Sequence, residues 1–289
     1  AAKLSPLGFK LEAKTAKPLT QSATLLADVP QSRLFDEMLK LLQTGHALAS
    51  IAQLKNLGLA TGIYPLLDVV VERADSAFVQ VALADTDRRV GEGKPVAPSF
   101  LLACVLWADV RDAWAARLAR KEHPHPALQD AIDEVFEARI GDVSGRGKLA
   151  ADMREIWMMQ PRFEKRVGST PFGLVEQPRF RAGFDFLRLR ADIEEVDVRL
   201  ADWWQEFSMA SDSEREDLVQ AAKVEQQALL AAKPRVRRAP RPEGAPAPAE
   251  SRPAAEADSG DDAAAKKRRR RRRKPGAAGD QAGDGSSAA

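Results

Sequence analysis

The stretch from Met153 to Phe207 interleaves arginine with aromatic and other large apolar residues at helical spacing. Farther along the chain, nine consecutive basic residues run from Lys266 to Lys274. Single-stranded RNA presents phosphates that attract positive charge and flat bases that stack on aromatic rings or guanidinium planes. The combination indicates a protein that binds single-stranded RNA, with the charged run acting as a nonspecific arm. The alternative reading of that run is a solvated tail or a localisation signal.

Four basic residues of this stretch lie close together and are assigned to a helix surface that contacts RNA: Arg154, Arg162, Lys165 and Arg166. The large aromatic residues between the arginines are assigned differently. A stripe of tryptophan and methionine at helical spacing is more often core than a platform for bases. We therefore predict that Trp157, Phe184 and Trp204 are packed inside the protein.

Asp85 and Asp87 have the spacing of the carboxylate pairs that hold Mg²⁺ in nucleotidyl transfer. A functional pair would lie at a strand edge after a glycine-rich turn. Here the pair follows a helix-like stretch and precedes Arg88-Arg89. We predict a solvated helix end and no metal site.

Other chemical patterns in the chain also lack the required spacing. Gly141–Lys148 has the glycines and lysine of a phosphate loop but not their spacing, so a flexible loop is predicted. His123 and His125 lack a second cysteine to accompany Cys104, so they match no standard zinc site and indicate a loop before a helix. Cys104 is expected to be a buried core residue. We predict no catalytic residue, no metal and no bound cofactor in this chain.

The elements that must position these residues are helices. No segment shows the sustained alternation of a strand, so the sequence predicts an all-α fold with short loops. Leu4–Lys17 is predicted as a connector, and Asp28–Ser32 as the start signal of a helix that stops at Gly45. The other predicted helices are Leu48–Leu57, Tyr64–Val81, Pro98–Leu118, Pro126–Arg139 and Asp212–Ala232, and the arginine–aromatic pattern occupies Leu149–Gln160 and Phe180–Trp204.

Composition changes at about Lys233. Residues 233–289 contain 15 basic and 8 acidic residues, a charge of +7, and almost no large apolar side chain. Such a segment cannot bury enough surface to offset its ordering entropy, so we predict a disordered basic tail. Because the whole chain carries +2, the first 232 residues carry −5. A single cysteine and the lack of any apolar stretch near ~20 residues favour a cytoplasmic protein that does not cross a membrane.

Several ordered blocks resemble bacterial poly(A) polymerases. Near the C-terminal side these are Met153–Gln160, Glu176–Leu187 and Trp203–Phe207, followed by an arginine-rich tail as in that family. Nearer the start, the residues that look like the neck and RNA-binding segment of the same enzymes are Ala23–Pro30, Arg33–Glu37 and Lys40–Gly45. The resemblance implies the multi-helix body shared by poly(A) polymerases and CCA-adding enzymes.

The resemblance also implies a domain order: the end of a neck connector at 1–20, a neck and RNA-binding helical segment at 21–90, a helical body at 91–210, a polar helix at 211–232 and the basic tail at 233–289. It extends the set of candidate RNA contacts to Arg33, Lys40, Arg179 and Arg181, beside the tail residues Lys266, Lys267, Arg268, Arg269, Arg270, Arg271, Arg272, Arg273 and Lys274.

An intact member of the family is expected to add AMP from ATP to RNA 3′ ends with Mg²⁺, acting in mRNA polyadenylation, RNA processing and decay. RNA 3′ ends, a DEAD-box RNA helicase and RNA-decay proteins are the implied partners of a monomer. The chain opens on Ala1 without the family's catalytic aspartates, so we expect an inactive fragment that binds RNA. The alternatives are the body of a CCA-adding nucleotidyltransferase, or a stand-alone RNA-binding or helicase-docking adaptor.

Overall fold

A computed structural model describes residues 1–59, 62–94, 96–140 and 147–232. Within these ranges the chain is helical, with no strand, and the predicted all-α fold is confirmed. The helices are α1 Ala13–Ala16, α2 Leu19–Ser22, α3 Gln31–Leu42, α4 Ala47–Asn56, α5 Pro65–Arg73, α6 Ala77–Gly91, α7 Pro98–Ala119, α8 Pro124–Val135, α9 Gly147–Phe163, α10 Thr170–Val175, α11 Phe180–Asp192, α12 Val198–Met209 and α13 Asp212–Ala232. Ser5–Leu7 and Ala23–Asp28 are 3₁₀ helices, and Phe136–Ile140 is a π turn.

Most predicted helices are confirmed, and α13 has the predicted bounds. The single helix predicted over Tyr64–Val81 is wrong, because the chain breaks between α5 and α6 and the second helix continues to Gly91. Phe180–Trp204 is likewise divided between α11 and α12. At that division Glu194 has a φ of 60°, and the N–H of Glu195 donates to the carbonyl of Arg190 at 2.9 Å, which closes α11 with a left-handed turn.

Helix α7 forms the centre of the larger of two hydrophobic clusters. Its residues from Phe100 to Trp107 are all buried, as expected for a helix that is apolar on every side. Cys104 belongs to this run, and burial raises the pKa of its thiol well above the usual value. The predicted core position of Cys104 is therefore confirmed.

The smaller cluster joins the end of α9 to α10, α11 and α12. Trp204 and Phe163 pack edge to face with ring centroids 5.0 Å apart, and the indole N–H of Trp204 donates to the carbonyl of Phe163 at 2.8 Å. Trp157, Phe184 and Trp204 are at most 1% exposed, so their predicted packing role is confirmed.

A polar network links α7, α9 and α11 beside these clusters. The indole of Trp107 donates to Glu195 at 2.9 Å, and the guanidinium of Arg190 donates to Glu195 at 3.0 Å and to Gln160 at 3.2 Å. Gln160, itself buried, donates to the carbonyl of Gly183 at 3.1 Å. Since buried polar groups are costly unless they are paired, this network fixes how α11 sits on α9.

Candidate nucleic-acid interface

A cationic groove of about 280 Å³ lies between α6 and α11. Five basic side chains and three carboxylates line it, with Leu189: Arg88, Arg89, Lys94, Arg181 and Arg188 against Asp85, Asp185 and Asp192. Gly93, with a φ of 72°, ends α6 in a left-handed turn in which the N–H of Lys94 donates to the carbonyl of Arg89 at 2.8 Å. This turn brings Lys94 back to the groove.

Asp185 holds two arginines of the cationic groove in place. This carboxylate is only 7% exposed and lies 2.8 Å from Arg89 Nη2 and 3.1 Å from Arg181 Nε. Arg89 Nε also lies 2.8 Å from Asp85. Ion pairs with a shielded carboxylate restrict the rotamers of long side chains, so both guanidinium groups are positioned before any ligand arrives.

The other cations of the groove differ in how far they are neutralised. Arg88 pairs with Asp85 and Glu92, and Lys94 pairs with Glu92 at 2.7 Å. Arg188 is exposed and makes no ion pair with any residue in the described ranges. The groove thus keeps an excess of positive charge at its exposed side.

Asp85 and Asp87 have structural partners of their own. They lie within α6 rather than at its end, and two positions along a helix place them on different faces. Asp85 pairs with Arg88 and Arg89, whereas Asp87 accepts the N–H of Ala47 at 2.8 Å and caps α4. Burial raises the pKa of Asp87. The prediction of a solvated helix end is therefore wrong, since both carboxylates are partly buried.

The first two predicted RNA contacts lie beside an apolar groove. Arg33 and Lys40 of α3 line a cavity of about 570 Å³ whose other lining residues are mostly leucine, isoleucine, valine, methionine and tyrosine from α3 to α5 and the preceding 3₁₀ helix. Lys40 pairs with Glu37 at 2.7 Å. Arg33 is exposed and has no ion-pair partner in the described part of the chain.

The predicted contacts in and just after α9 and at the start of α11 do not share partners. Arg154 pairs with Asp133 and lies over the ring of Phe136, and Arg166 pairs with Glu225 at 3.1 Å. Arg179 pairs with Asp152 at 2.7 Å. Arg162, in the last turn of α9, and Lys165, just after that helix, form no ion pair within the described ranges. Arg181 is the one member of the predicted set, among the described residues, that lines the cationic groove.

Sequence reasoning missed four cations of the cationic groove: Arg88, Arg89, Lys94 and Arg188. Part of the signal was present, because Arg188 follows Arg181 by seven residues and so lies two turns along the same helix face. The approach of α6 to α11 was not visible in the sequence.

Of the other predicted features, the two histidines lie within the described ranges, and the glycine-rich loop and the basic run lie mostly or wholly outside them. His123 directly precedes α8, as expected for a residue before a helix, but His125 lies inside its first turn. Residues 141–146 of the glycine-rich loop lie outside the described residues, and so does the basic run Lys266–Lys274. None of the helices in the described ranges is long and apolar enough to cross a membrane.

These features define an all-helical protein with a concentrated cationic groove, and the comparisons with known proteins place it in a family. Residues 8–70 match a family described as "Probable RNA and SrmB- binding site of polymerase A", and residues 120–242 match one described as "Polymerase A arginine-rich C-terminus". The chain belongs to the bacterial poly(A) polymerase family and corresponds to its C-terminal part.

Individual relatives agree with this assignment. The chain is 33% identical over 225 residues to Poly(A) polymerase I of Haemophilus influenzae, covering 75% of this chain and 49% of that protein. It is 33% identical to Poly(A) polymerase I of Salmonella typhi, with 74% and 47% covered, and 31% identical to that of Escherichia coli O157:H7, with 82% and 53% covered. The chain spans about half the length of the curated relatives it matches.

Proposed function

We propose that this chain is the RNA-holding portion of a polymerase that adds AMP from ATP to RNA 3′ ends. The observation that carries the proposal is the ordered match of residues 8–70 and 120–242 to two segments of polymerase A. The cationic groove between α6 and α11 supports it, because phosphate contacts supply most of the sequence-independent affinity for RNA. The names of the matched relatives favour poly(A) addition over CCA addition.

The activity, cofactors and location of the whole protein belong to the same proposal. ATP and Mg²⁺ would be bound by a catalytic part that supplies the metal-binding carboxylates, since Asp85 and Asp87 of this chain are engaged in an ion pair and a helix cap. The whole enzyme would act in the cytoplasm and produce polyadenylated RNA. Polyadenylation would be a step in mRNA processing and decay.

A protein partner is proposed for the segment matched by the first family. That family's description names SrmB, and we propose that residues 8–70 contact a DEAD-box RNA helicase. The apolar groove lined by α3 and α5 lies within this segment, and its exposed rim carries both signs of charge. RNA-decay proteins are proposed as further partners of the whole enzyme.

The proposal is tested with the purified chain and a fluorescent single-stranded oligo(A) RNA. We expect saturable binding, and no change of RNA length when ATP and Mg²⁺ are added, with a full-length relative as the positive control for elongation. Elongation by this chain alone would contradict the assignment of catalysis to another part of the protein. Failure to bind the RNA at low salt would contradict the RNA-holding function.

A further inference from the structure

We infer that the cationic groove between α6 and α11 binds consecutive backbone phosphates of a single RNA strand. This inference rests on the proposed function and names the surface that performs it. The groove gathers five cations against three carboxylates, whereas the first 232 residues as a whole carry a net charge of −5. A local positive excess on an acidic body is a feature that packing does not require.

The groove contains guanidinium N–H donors that have no partner within the described part of the protein. Arg181 is 72% exposed and its Nε lies 3.1 Å from Asp185, while its two terminal nitrogens donate no hydrogen bond to any residue in the described ranges. Arg188 has no ion-pair partner in the same ranges. A guanidinium whose terminal nitrogens are free binds two phosphate oxygens at once, which a lysine cannot do.

The lining of the groove favours phosphates over bases. Among the described residues, Leu189 is the single apolar side chain of the lining, and no aromatic ring accompanies it. Recognition of bases in single strands depends on aromatic or guanidinium platforms and on hydrogen bonds to base edges. The groove therefore suits the part of RNA that is the same at every nucleotide.

The spacing of the arginines favours a polynucleotide over a single phosphate. Arg181 and Arg188 are seven residues apart on α11, which corresponds to about 10 Å along the helix axis. Lys94, just beyond the end of α6 and paired with Glu92, places an ammonium group on the opposite side. Cations placed over such a length match a chain of phosphates, and a free phosphate ion would engage only part of them.

The test compares two double variants of the full chain. Arg181→Ala with Arg188→Ala removes two cations of the groove, whereas Arg120→Ala with Arg199→Ala removes two exposed arginines that do not line it. Affinity for oligo(A) RNA is measured over a series of salt concentrations. The plot of log K against log salt should become shallower by about 0.7 for each phosphate that the protein no longer neutralises. We therefore expect a slope shallower by about 1.4 in the groove variant and an unchanged slope in the control.

Two additional experiments test whether misfolding or the charged tail explains the result. Arg188→Ala alone breaks no ion pair in the described ranges, so it should fold normally and reduce the slope by about 0.7. Repeating the series with Lys266–Lys274 replaced by serine removes the charge of the tail. The groove effect should persist in that background, and a DNA oligonucleotide of the same sequence should lose affinity to the same extent as RNA.

The outcomes separate this inference from the proposed function. Normal RNA binding with equal slopes in the groove and control variants would overturn the groove and leave the RNA-holding function in place. Failure of the unchanged chain to bind RNA would overturn both. Competition by ATP or inorganic phosphate that disappears only in the groove variant would assign the groove to a free phosphate ligand and overturn its assignment to the RNA backbone.

Discussion

The apolar groove of α3–α5 and the cationic groove of α6–α11 are built from the same element, the amphipathic helix, yet they present opposite chemistry. Each groove is lined in part by residues of the larger hydrophobic cluster, Met38 and Leu41 in the first and Leu189 in the second. In the first, leucine, isoleucine and valine side chains line the cavity and charges of both signs stand at the rim. In the second, the buried carboxylate of Asp185 forms ion pairs with two arginines, Arg89 and Arg181.

The difference shows that helix packing alone does not determine what a groove binds. A mostly apolar groove with a rim of mixed charge gains free energy by covering hydrophobic surface, so it suits a protein side chain or helix. A groove with positioned guanidinium groups gains free energy from phosphate contacts. One helical body can therefore serve two classes of ligand on separate surfaces.

The largest expected effect comes from removing the support that both grooves share. Trp157 is fully buried in the larger cluster and donates to the carbonyl of Ala103 at 3.1 Å. Trp157→Ala should lower the free energy of unfolding by about 3–5 kcal/mol. The control Leu230→Ala, at a side chain that is 63% exposed, should change it by less than about 0.5 kcal/mol in chemical denaturation. A similar small change for both variants would contradict the packing role of Trp157.

A smaller effect is expected from a change in the packing of α11, the helix that forms one side of the cationic groove. A Cβ at Gly183 would lie 2.7 Å from the sulfur of Met159, so in Gly183→Ala either the buried Met159 side chain or α11 itself must shift. Overpacking costs about 1–3 kcal/mol, reduced by the better helix propensity of alanine. We expect weaker RNA binding and a net decrease of about 1 kcal/mol in the free energy of unfolding. Gly173→Ala is the matched control, because nothing lies within 4 Å of its new Cβ. A stabilised Gly183→Ala protein would show that the helices are not closely packed at this point.

The same RNA-binding assay, applied to variants of the apolar groove, tests whether the two grooves differ in their contribution to binding. Arg33→Ala with Lys40→Ala removes two predicted RNA contacts from the rim of the apolar groove, where Asp36 and Glu37 offset their charge. Lys40 is also held by Glu37. We expect the salt slope for oligo(A) RNA to fall by less than about 0.7. A larger fall than in the Arg181 and Arg188 variant would make the apolar groove the principal RNA surface.

The smallest effect is a pH dependence at the rim of the apolar groove. Hydrogen bonds from Lys3 and Lys40 lower the pKa of Glu37 from 4.5 to about 2. A carboxylate whose folded pKa is depressed stabilises the fold above its unfolded pKa and loses that contribution as the pH falls. Thermal unfolding between pH 4.5 and 2 should therefore depend less on pH in Glu37→Gln than in the unchanged chain. Identical profiles would show that the pairs with Lys3 and Lys40 are not maintained in solution.

The sequence predicted the fold better than the site, for reasons visible in particular residues. Asp212–Ala232 was bounded correctly because helical periodicity and end signals are local. The break between α5 and α6 was missed because Val71, Ala74 and Phe78 continue an apolar pattern without glycine or proline. The cationic groove was missed because the pair of Arg89 and Asp185 joins residues 96 positions apart. Such a pair depends on tertiary packing and leaves no local pattern.

The most direct test of the account is the salt dependence of oligo(A) RNA binding by the full chain and by its Arg188→Ala variant. The account predicts saturable binding whose log K falls linearly with log salt, and a slope shallower by about 0.7 in the variant. Binding with the same slope in both proteins would contradict the role of the groove. An affinity that does not change with salt would contradict the claim that this chain holds RNA through its phosphates.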